Sequence, residues 1–82
     1  IENPKGELQE LLQAHSPEAP KYEVIAASGP DHARSYSCRV LHENRELGCG
    51  TGSSKKAAES AAAQAALQFL GSEKLNQSPS NS

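Results

Sequence analysis

The sequence has no Met and no Trp, and its aromatic residues are two Tyr and one Phe. A hydrophobic core must therefore be built largely from Ala, Leu, Val and Ile. With 82 residues, of which 35% are hydrophobic, the chain has enough apolar surface for one small core but not for a second domain. We expect a single small domain of modest stability.

Cysteine is also scarce. The two residues, Cys38 and Cys49, are too few for the disulfide framework of a small secreted domain, so we expect a reduced, cytoplasmic protein. No C-x-x-C or H-x-x-x-H spacing occurs, which argues against a zinc site. No nucleophile with an evident base is found, and the carboxylates are scattered. We expect no catalytic residue, no metal site and no cofactor in these residues.

Long apolar runs are missing as well. Polar residues interrupt even the stretch that is richest in apolar residues, 57–70: Glu59, Ser60, Gln64 and Gln68. The sequence therefore predicts neither a signal peptide nor a membrane span. Because there is no initiating Met either, we expect these residues to be a piece of a longer protein.

An excess of positive charge is absent, since the formal net charge is −2. This argues against a protein that coats nucleic acid through bulk positive charge. Any binding of nucleic acid must come from a local basic patch. Lys55 and Lys56 are adjacent, and most carboxylates lie elsewhere in the sequence.

Helix signals are present near both ends of the sequence. Asn3 can cap a helix and Pro4 suits its first position, so we expect an amphipathic helix from there to just before Ser16. A second helix over about residues 55–70 is capped by Ser53 or Ser54 and ended by Gly71. We expect residues 71–82, rich in Ser, Asn and Gln, to be a disordered tail. The apolar residues of the second helix should form its inner face: Ala58, Ala62, Ala66, Leu67, Phe69 and Leu70.

Three strands are expected between the helices. Residues 22–28 have strand-forming side chains, and residues 35–40 alternate, with Tyr36, Cys38 and Val40 on one face. If Glu43 and Asn44 form the centre of a tight hairpin, Val40 lies opposite Leu47 and Cys38 opposite Cys49. The cysteines would then face each other, either as two reduced packing residues, which we favour, or as a disulfide under oxidation.

Alternating glycines mark the third strand. Gly48, Gly50 and Gly52 should leave its outer face with little side-chain bulk. The predicted fold is therefore α+β, with the order α-β-β-β-α and two helices packed on one face of a three-stranded antiparallel sheet.

The segment 52–56 is the clearest candidate for a site. Unpaired backbone N–H groups, the positive end of a helix and the ammonium groups of Lys55 and Lys56 converge there, which suits a phosphate backbone. The alternative from the residues alone is a capped helix with two solvated lysines.

Three stretches, residues 3–10, 29–34 and 48–59, carry a resemblance that covers residues 3–70. They read NPKGELQE, GPDHAR and GCGTGSSKKAAE, and together they resemble the double-stranded RNA-binding domain family. The first stretch, combined with Glu59 where many relatives have another Lys, is most similar to the C-terminal domain of bacterial-type ribonuclease III.

The resemblance implies a three-part surface that fits A-form RNA, whose wide minor groove exposes 2′-hydroxyls. The first helix and the first turn would contact successive minor grooves, and the start of the second helix would hold phosphates across the major groove between them. Because Glu59 replaces a lysine, we expect weaker phosphate binding than in strongly binding relatives. The implied contacts are Gln9, Glu10 and Gln13, then Pro30, His32 and Arg34, then Ser54, Lys55 and Lys56.

The resemblance also implies a parent protein. In ribonuclease III the acidic cluster that holds Mg²⁺ belongs to a separate catalytic domain, through which the parent would also form a homodimer. We expect these 82 residues to bind double-stranded RNA without cutting it, and to present the duplex to that domain. Two alternatives stay open: a stand-alone or regulatory RNA-binding module, and a domain of this fold that binds a protein through an exposed helix face containing Ala57, Ala61 and Ala65.

Overall fold

The structure is a computed structural model that describes the backbone of residues 3–76 and the side chains of residues 3–72. Along the chain, one helix precedes and one follows three antiparallel strands, which form a sheet of order β1-β2-β3. The predicted α-β-β-β-α fold is therefore confirmed. A short 3₁₀ turn, Asp31–Ala33, lies between the first two strands. The elements are α1 (Pro4–Gln13), β1 (Lys21–Ser28), β2 (Ser35–His42), β3 (Arg45–Gly52) and α2 (Lys55–Asn76).

Helix α1 begins as the sequence predicts. The Asn3 Oδ1 atom accepts a hydrogen bond from the Gly6 backbone N–H at 3.1 Å, and Pro4 occupies the first turn. Leu8 and Leu12, four residues apart, are buried on one side of the helix, whereas Leu11 is exposed. The helix thus contributes one narrow apolar stripe to the core.

The β2–β3 hairpin turns at the predicted residues. Glu43 and Asn44 have φ values of 53° and 65°, the left-handed conformation that a two-residue hairpin turn requires. The predicted register is wrong by one residue, because a β-bulge leaves Leu47 without a partner on β2. Val40 therefore pairs with Gly48, and Cys38 pairs with Gly50.

The bulge also reverses the predicted faces of β3. Gly48, Gly50 and Gly52 face α2 and not the outer side of the sheet. A Cβ atom on Gly50 would be 2.3 Å from the backbone nitrogen of Ala62, and one on Gly48 would be 2.6 Å from that of Ala66. Because these positions lack side chains, α2 packs directly on the backbone of β3.

The core lies between α1, α2 and the inner face of the sheet. Ala58, Ala62 and Ala66 are buried as predicted, but Phe69 is 40% exposed, and its ring centroid lies 5.4 Å from the Arg45 Cζ atom. The phenyl ring is thus held at the edge of the core. The main buried cluster consists of Leu8, Leu12, Val40, Leu47, Ala62, Ala63 and Ala66.

Helix α2 is longer than predicted. It continues through Gly71 to Asn76, so the predicted end at Gly71 is wrong. Among the glycines of the described chain only Gly29 has a positive φ, and Gly71 therefore does not form the left-handed cap that ends many helices. The predicted disordered tail overlaps this helix at residues 71–76, and its remainder, 77–82, lies outside the described residues.

Candidate nucleic-acid interface

Two of the segments that were singled out in the sequence leave the sheet at the same end. Ser28 pairs with Ser35 at the last rung between β1 and β2, and Tyr36 pairs with Gly52 at the last rung between β2 and β3. Residues 29–34 therefore connect to the sheet at the same end as the start of α2, so these two segments lie close to each other.

The connection between β1 and β2 has a fixed shape. Gly29 has a φ of +92°, and the Ala33 backbone N–H donates to the Pro30 carbonyl at 2.9 Å to close the 3₁₀ turn. His32 lies in this turn and is exposed. Arg34 is held at 3.5 Å from the Asp31 carboxylate, which is itself fully exposed. The backbone thus presents His32 to solvent, while Arg34 is partly engaged by a neighbour.

The start of α2 combines a capped backbone with two cations. The Ser54 Oγ atom accepts a hydrogen bond from the Ala57 N–H at 3.1 Å, so Ser54 is the capping residue. Its hydroxyl proton is still able to donate to an acceptor such as a phosphate oxygen. Lys55 and Lys56 are exposed, and the first turn of α2 contains no acidic residue. Helix dipole and side-chain charge therefore have the same sign at this point.

The three predicted positions on α1 are all exposed. The Gln9 Nε2 atom donates to Gln13 Oε1 at 3.2 Å, and Gln13 Nε2 donates to the Pro17 carbonyl at 3.4 Å. Glu10 is also exposed. Hydrogen bonding along the helix thus orders the two amides into a row of polar groups.

An ion pair that the sequence did not predict joins α1 to α2. The Lys5 Nζ atom lies 2.5 Å from Glu59 Oε1 and 5.0 Å from the centroid of the Tyr22 ring. Burial, and secondarily the charge of Glu59, raises the pKa of Tyr22 to about 12. Glu59, which stands where many relatives have another Lys, is therefore paired with the ammonium group of Lys5.

The outer face of the sheet holds a second group of paired charges. Arg39 lies 2.7 Å from Glu23 and 3.4 Å from Glu46, and these hydrogen-bonded carboxylates raise the pKa of the guanidinium. Cys49, displaced to this face by the bulge, donates its S–H to Glu46 at 3.1 Å. These acidic groups lie on a different surface from Lys55 and Lys56, which explains how a net charge of −2 coexists with a basic patch.

The hairpin end of the domain contains two linked glutamates, Glu18 and Glu43, and a cavity. Ser16 Oγ donates to Glu43 Oε2 at 2.6 Å, and the Glu43 backbone N–H donates to Glu18 Oε2 at 3.0 Å. The cavity, of about 520 Å³, contains none of the predicted site residues. Its lining is Leu11, Leu12, His15, Ser16, His42, Glu43, Leu67, Leu70 and Gly71.

The candidate interface is therefore an open surface and not a pocket. Among the side chains of residues 3–72, no cluster of His, Cys, Asp and Glu is arranged to bind a metal ion. The same residues include no helix long and apolar enough to cross a membrane. Together, the fold and the lysine-bearing helix start form a small α+β domain with an exposed surface that is chemically suited to a polyanion.

The comparison with known families identifies the domain more closely. The family model for the double-stranded RNA binding motif matches residues 4–70, which is most of the chain, and the chain belongs to this family. Double-stranded RNA is accordingly the ligand of the domain.

Several similar proteins are named Ribonuclease 3. The chain is 44% identical over 66 residues to the one from Desulforamulus reducens and 48% identical over 66 residues to the one from Syntrophotalea carbinolica, which is 80% of this chain in both cases. It is 51% identical over 65 residues, or 79% of this chain, to the one from Chloroflexus aggregans. The chain spans only 27–28% of the length of these relatives.

Proposed function

We propose that this domain, residues 3–70, holds an RNA duplex through three segments: the exposed side of α1, the β1–β2 connection and the start of α2. The observation that carries the proposal is the arrangement at the start of α2. There Ser54 caps the helix, and Lys55 and Lys56 extend from its positive end with no carboxylate in the same turn. Phosphates are the groups that such a site attracts most strongly.

The β1–β2 connection supplies the second contact. Because it leaves the sheet beside the start of α2, a duplex that touches Lys55 and Lys56 is within reach of the turn that carries Pro30 and His32. His32 would enter a minor groove, where its ring nitrogens can pair with 2′-hydroxyls. Arg34 has a smaller role in this proposal because Asp31 already engages it.

Helix α1 supplies the third contact. Gln9, Glu10 and Gln13 offer amide and carboxylate groups that can pair with 2′-hydroxyls and base edges in another minor groove. Such contacts carry little sequence information, so the domain would select duplex RNA by its A-form shape.

We propose further that the domain is the substrate-binding module of a ribonuclease III-like endoribonuclease. The identity to proteins named Ribonuclease 3 supports this, and their greater length leaves room for a separate catalytic region. In that parent, Mg²⁺ chemistry and homodimerisation would belong to the other region, and these residues would supply affinity and orientation in the cytoplasm. The free thiols of Cys38 and Cys49 are compatible with a reducing compartment.

The structure gives little support to the alternative that an exposed face of α2 binds a protein. It required Ala57, Ala61 and Ala65 to form a flat exposed surface. A Cβ atom on Gly50 would be 2.5 Å from that of Ala61, and one on Gly52 would be 2.7 Å from that of Ala57, so Ala57 and Ala61 lie beside β3. Ala61 and Ala65 are half-buried, and only Ala57 of the three is exposed. RNA binding is the better-supported function.

The test is a titration of the domain with RNA and DNA duplexes of about 20 base pairs, since such a domain spans roughly 16 base pairs. We expect RNA-selective binding that weakens with salt. Changing Lys55 and Lys56 to Glu should lower RNA affinity at least about tenfold and reduce the salt slope by about two. Lys21→Glu, a single charge reversal on an exposed strand residue, is the control for each Lys→Glu substitution and should have little effect.

Two results would overturn the proposal. Equal affinity for RNA and DNA at both salt concentrations would show that the domain does not read A-form shape. Unchanged RNA affinity in the Lys55→Glu, Lys56→Glu variant would show that the start of α2 is not the phosphate site.

A further inference from the structure

The Lys5–Glu59 ion pair lies between two of the three proposed contact segments. Lys5 is one helical turn before Gln9 on α1, and Glu59 is one turn after Lys55 on α2. The side chains meet at 2.5 Å although 54 positions separate them in the sequence. The pair therefore fixes the beginning of α1 against the phosphate-binding end of α2.

The surroundings of the pair tie it to the sheet as well. Lys5 Nζ lies 5.0 Å from the centroid of the Tyr22 ring, so one ammonium group contacts both the carboxylate on α2 and an aromatic ring on β1. The side chains of Lys5 and Glu59 are only 37% and 27% exposed, which limits their screening by solvent. The hydrogen bond from the Gly6 backbone N–H to Asn3 Oδ1 also orders the first turn of α1.

The ion pair with Lys5 changes the effect that Glu59 is expected to have on RNA affinity. An unpaired carboxylate one turn after Lys55 would repel an RNA backbone, and removing its charge would strengthen binding. A carboxylate neutralised by Lys5 contributes little repulsion. Its main effect is then geometric, because it holds the row formed by Gln9 and Gln13 at a fixed position relative to Lys55.

We propose that Lys5 and Glu59 are positioning residues for duplex RNA, which act by aligning α1 with the start of α2 and do not contact the RNA themselves. The inference rests on the proposed function, because it assigns a role within the same surface. It reverses the effect expected of Glu59 from its charge alone: the carboxylate supports RNA binding.

The decisive variant is Glu59→Gln, which keeps the size of the side chain and removes its charge. We expect its RNA affinity to fall about fivefold, as is typical for the loss of one coupled contact, with an unchanged salt slope. Stronger or equal binding by Glu59→Gln would overturn the inference, because the carboxylate would then repel RNA or have no role.

Variants of Lys5 separate positioning from direct contact. Lys5→Met should cause a similar loss of affinity with the same salt slope as wild type, and Lys5→Arg, which can still pair with Glu59, should restore most of it. The double variant Lys5→Met, Glu59→Gln should bind no more weakly than either single variant. A salt slope reduced by about one in Lys5→Met would show a direct phosphate contact by Lys5 and would overturn the positioning role.

Two controls complete the design. Thermal unfolding of each variant shows that it is folded during the titration, which we expect because the main buried cluster that holds the fold together does not include Lys5 or Glu59. Lys55→Glu, Lys56→Glu is titrated in parallel. If that variant binds like wild type, the proposed function itself fails; if it loses binding while Glu59→Gln does not, only the positioning inference fails.

Discussion

Gly50 of β3 lies directly against Ala61 of α2: a Cβ atom on Gly50 would be 2.5 Å from the Ala61 Cβ and 2.3 Å from the Ala62 backbone nitrogen. Backbone atoms cannot move away as a flexible side chain can. We therefore expect Gly50→Ala to push α2 off the sheet and to lower the free energy of unfolding by about 3 kcal/mol. Chemical denaturation followed by circular dichroism measures the change.

Gly71→Ala is the matched control for that substitution. Gly71 lies inside α2, and a Cβ atom there would meet nothing within 4 Å. Alanine should raise the free energy of unfolding by about 0.5–1 kcal/mol, because it loses less conformational entropy in a helix than glycine does. Equal effects of the two substitutions would contradict the close packing of α2 on β3.

The order of the elements was predictable because each has a local signal: the Asn3 cap, the alternation at Tyr36, Cys38 and Val40, and the Glu43-Asn44 turn. The register of β3 was not. The strictly alternating pattern gave no sign that Leu47 forms a bulge, and the choice depends on whether α2 can approach the glycines. That approach is a tertiary contact, which a strand pattern does not contain.

In the candidate site, too, features that depend on local sequence were predictable, and features that depend on tertiary contacts were not. The cap at Ser54 and the exposure of Lys55 were predictable because they depend on neighbours in the sequence. The partner of Glu59 was not, because Lys5 is 54 positions away and many cations could have been nearest. Opposite charges near the starts of two helices that pack together, Lys5 in α1 and Glu59 one turn into α2, are the signal that could have suggested the pair.

Tyr22→Phe is expected to stabilise the protein. The Tyr22 hydroxyl is buried and has no hydrogen-bond partner among the described residues. Removing it should raise the free energy of unfolding at neutral pH by about 1 kcal/mol, because an unsatisfied buried polar group is costly. The aromatic ring that faces Lys5 is kept in this variant. A loss of stability would mean that the hydroxyl makes a favourable interaction in the folded state.

Tyr22 also predicts a dependence on alkaline pH. Its pKa is raised from 10.0 to about 12, chiefly by burial. Below pH 10 the hydroxyl is protonated in both states; between about pH 10 and 12 the unfolded chain releases the proton while the folded protein retains it. Stability should therefore fall as pH rises through this window, and less so in Tyr22→Phe. Denaturation at several pH values measures this, and the difference in phenolate absorbance between the two proteins reports the titration of Tyr22.

Oxidation should not join the two cysteines. Cys38 is buried on the inner face of β2, and Cys49 lies on the outer face of β3 opposite Arg39. The hydrogen bond to Glu46 raises the pKa of the Cys49 thiol, so little thiolate forms at neutral pH. We expect slow alkylation of Cys49, accelerated about threefold in Glu46→Gln. Mass spectrometry after mild oxidation would show an intramolecular disulfide if this arrangement were wrong.

Gly29→Ala tests whether the shape of the β1–β2 connection matters for RNA. Gly29 has a φ of +92°, which alanine strongly disfavours, and an added Cβ would be 2.7 Å from the Ala33 carbonyl oxygen. The 3₁₀ turn must therefore rearrange at a cost of about 1–3 kcal/mol, and His32 must move with it. We expect RNA affinity to fall further in Gly29→Ala than in His32→Ala, which removes one side chain and keeps the backbone. Equal losses would indicate that the imidazole alone matters, and no loss in either variant would remove this connection from the proposed interface.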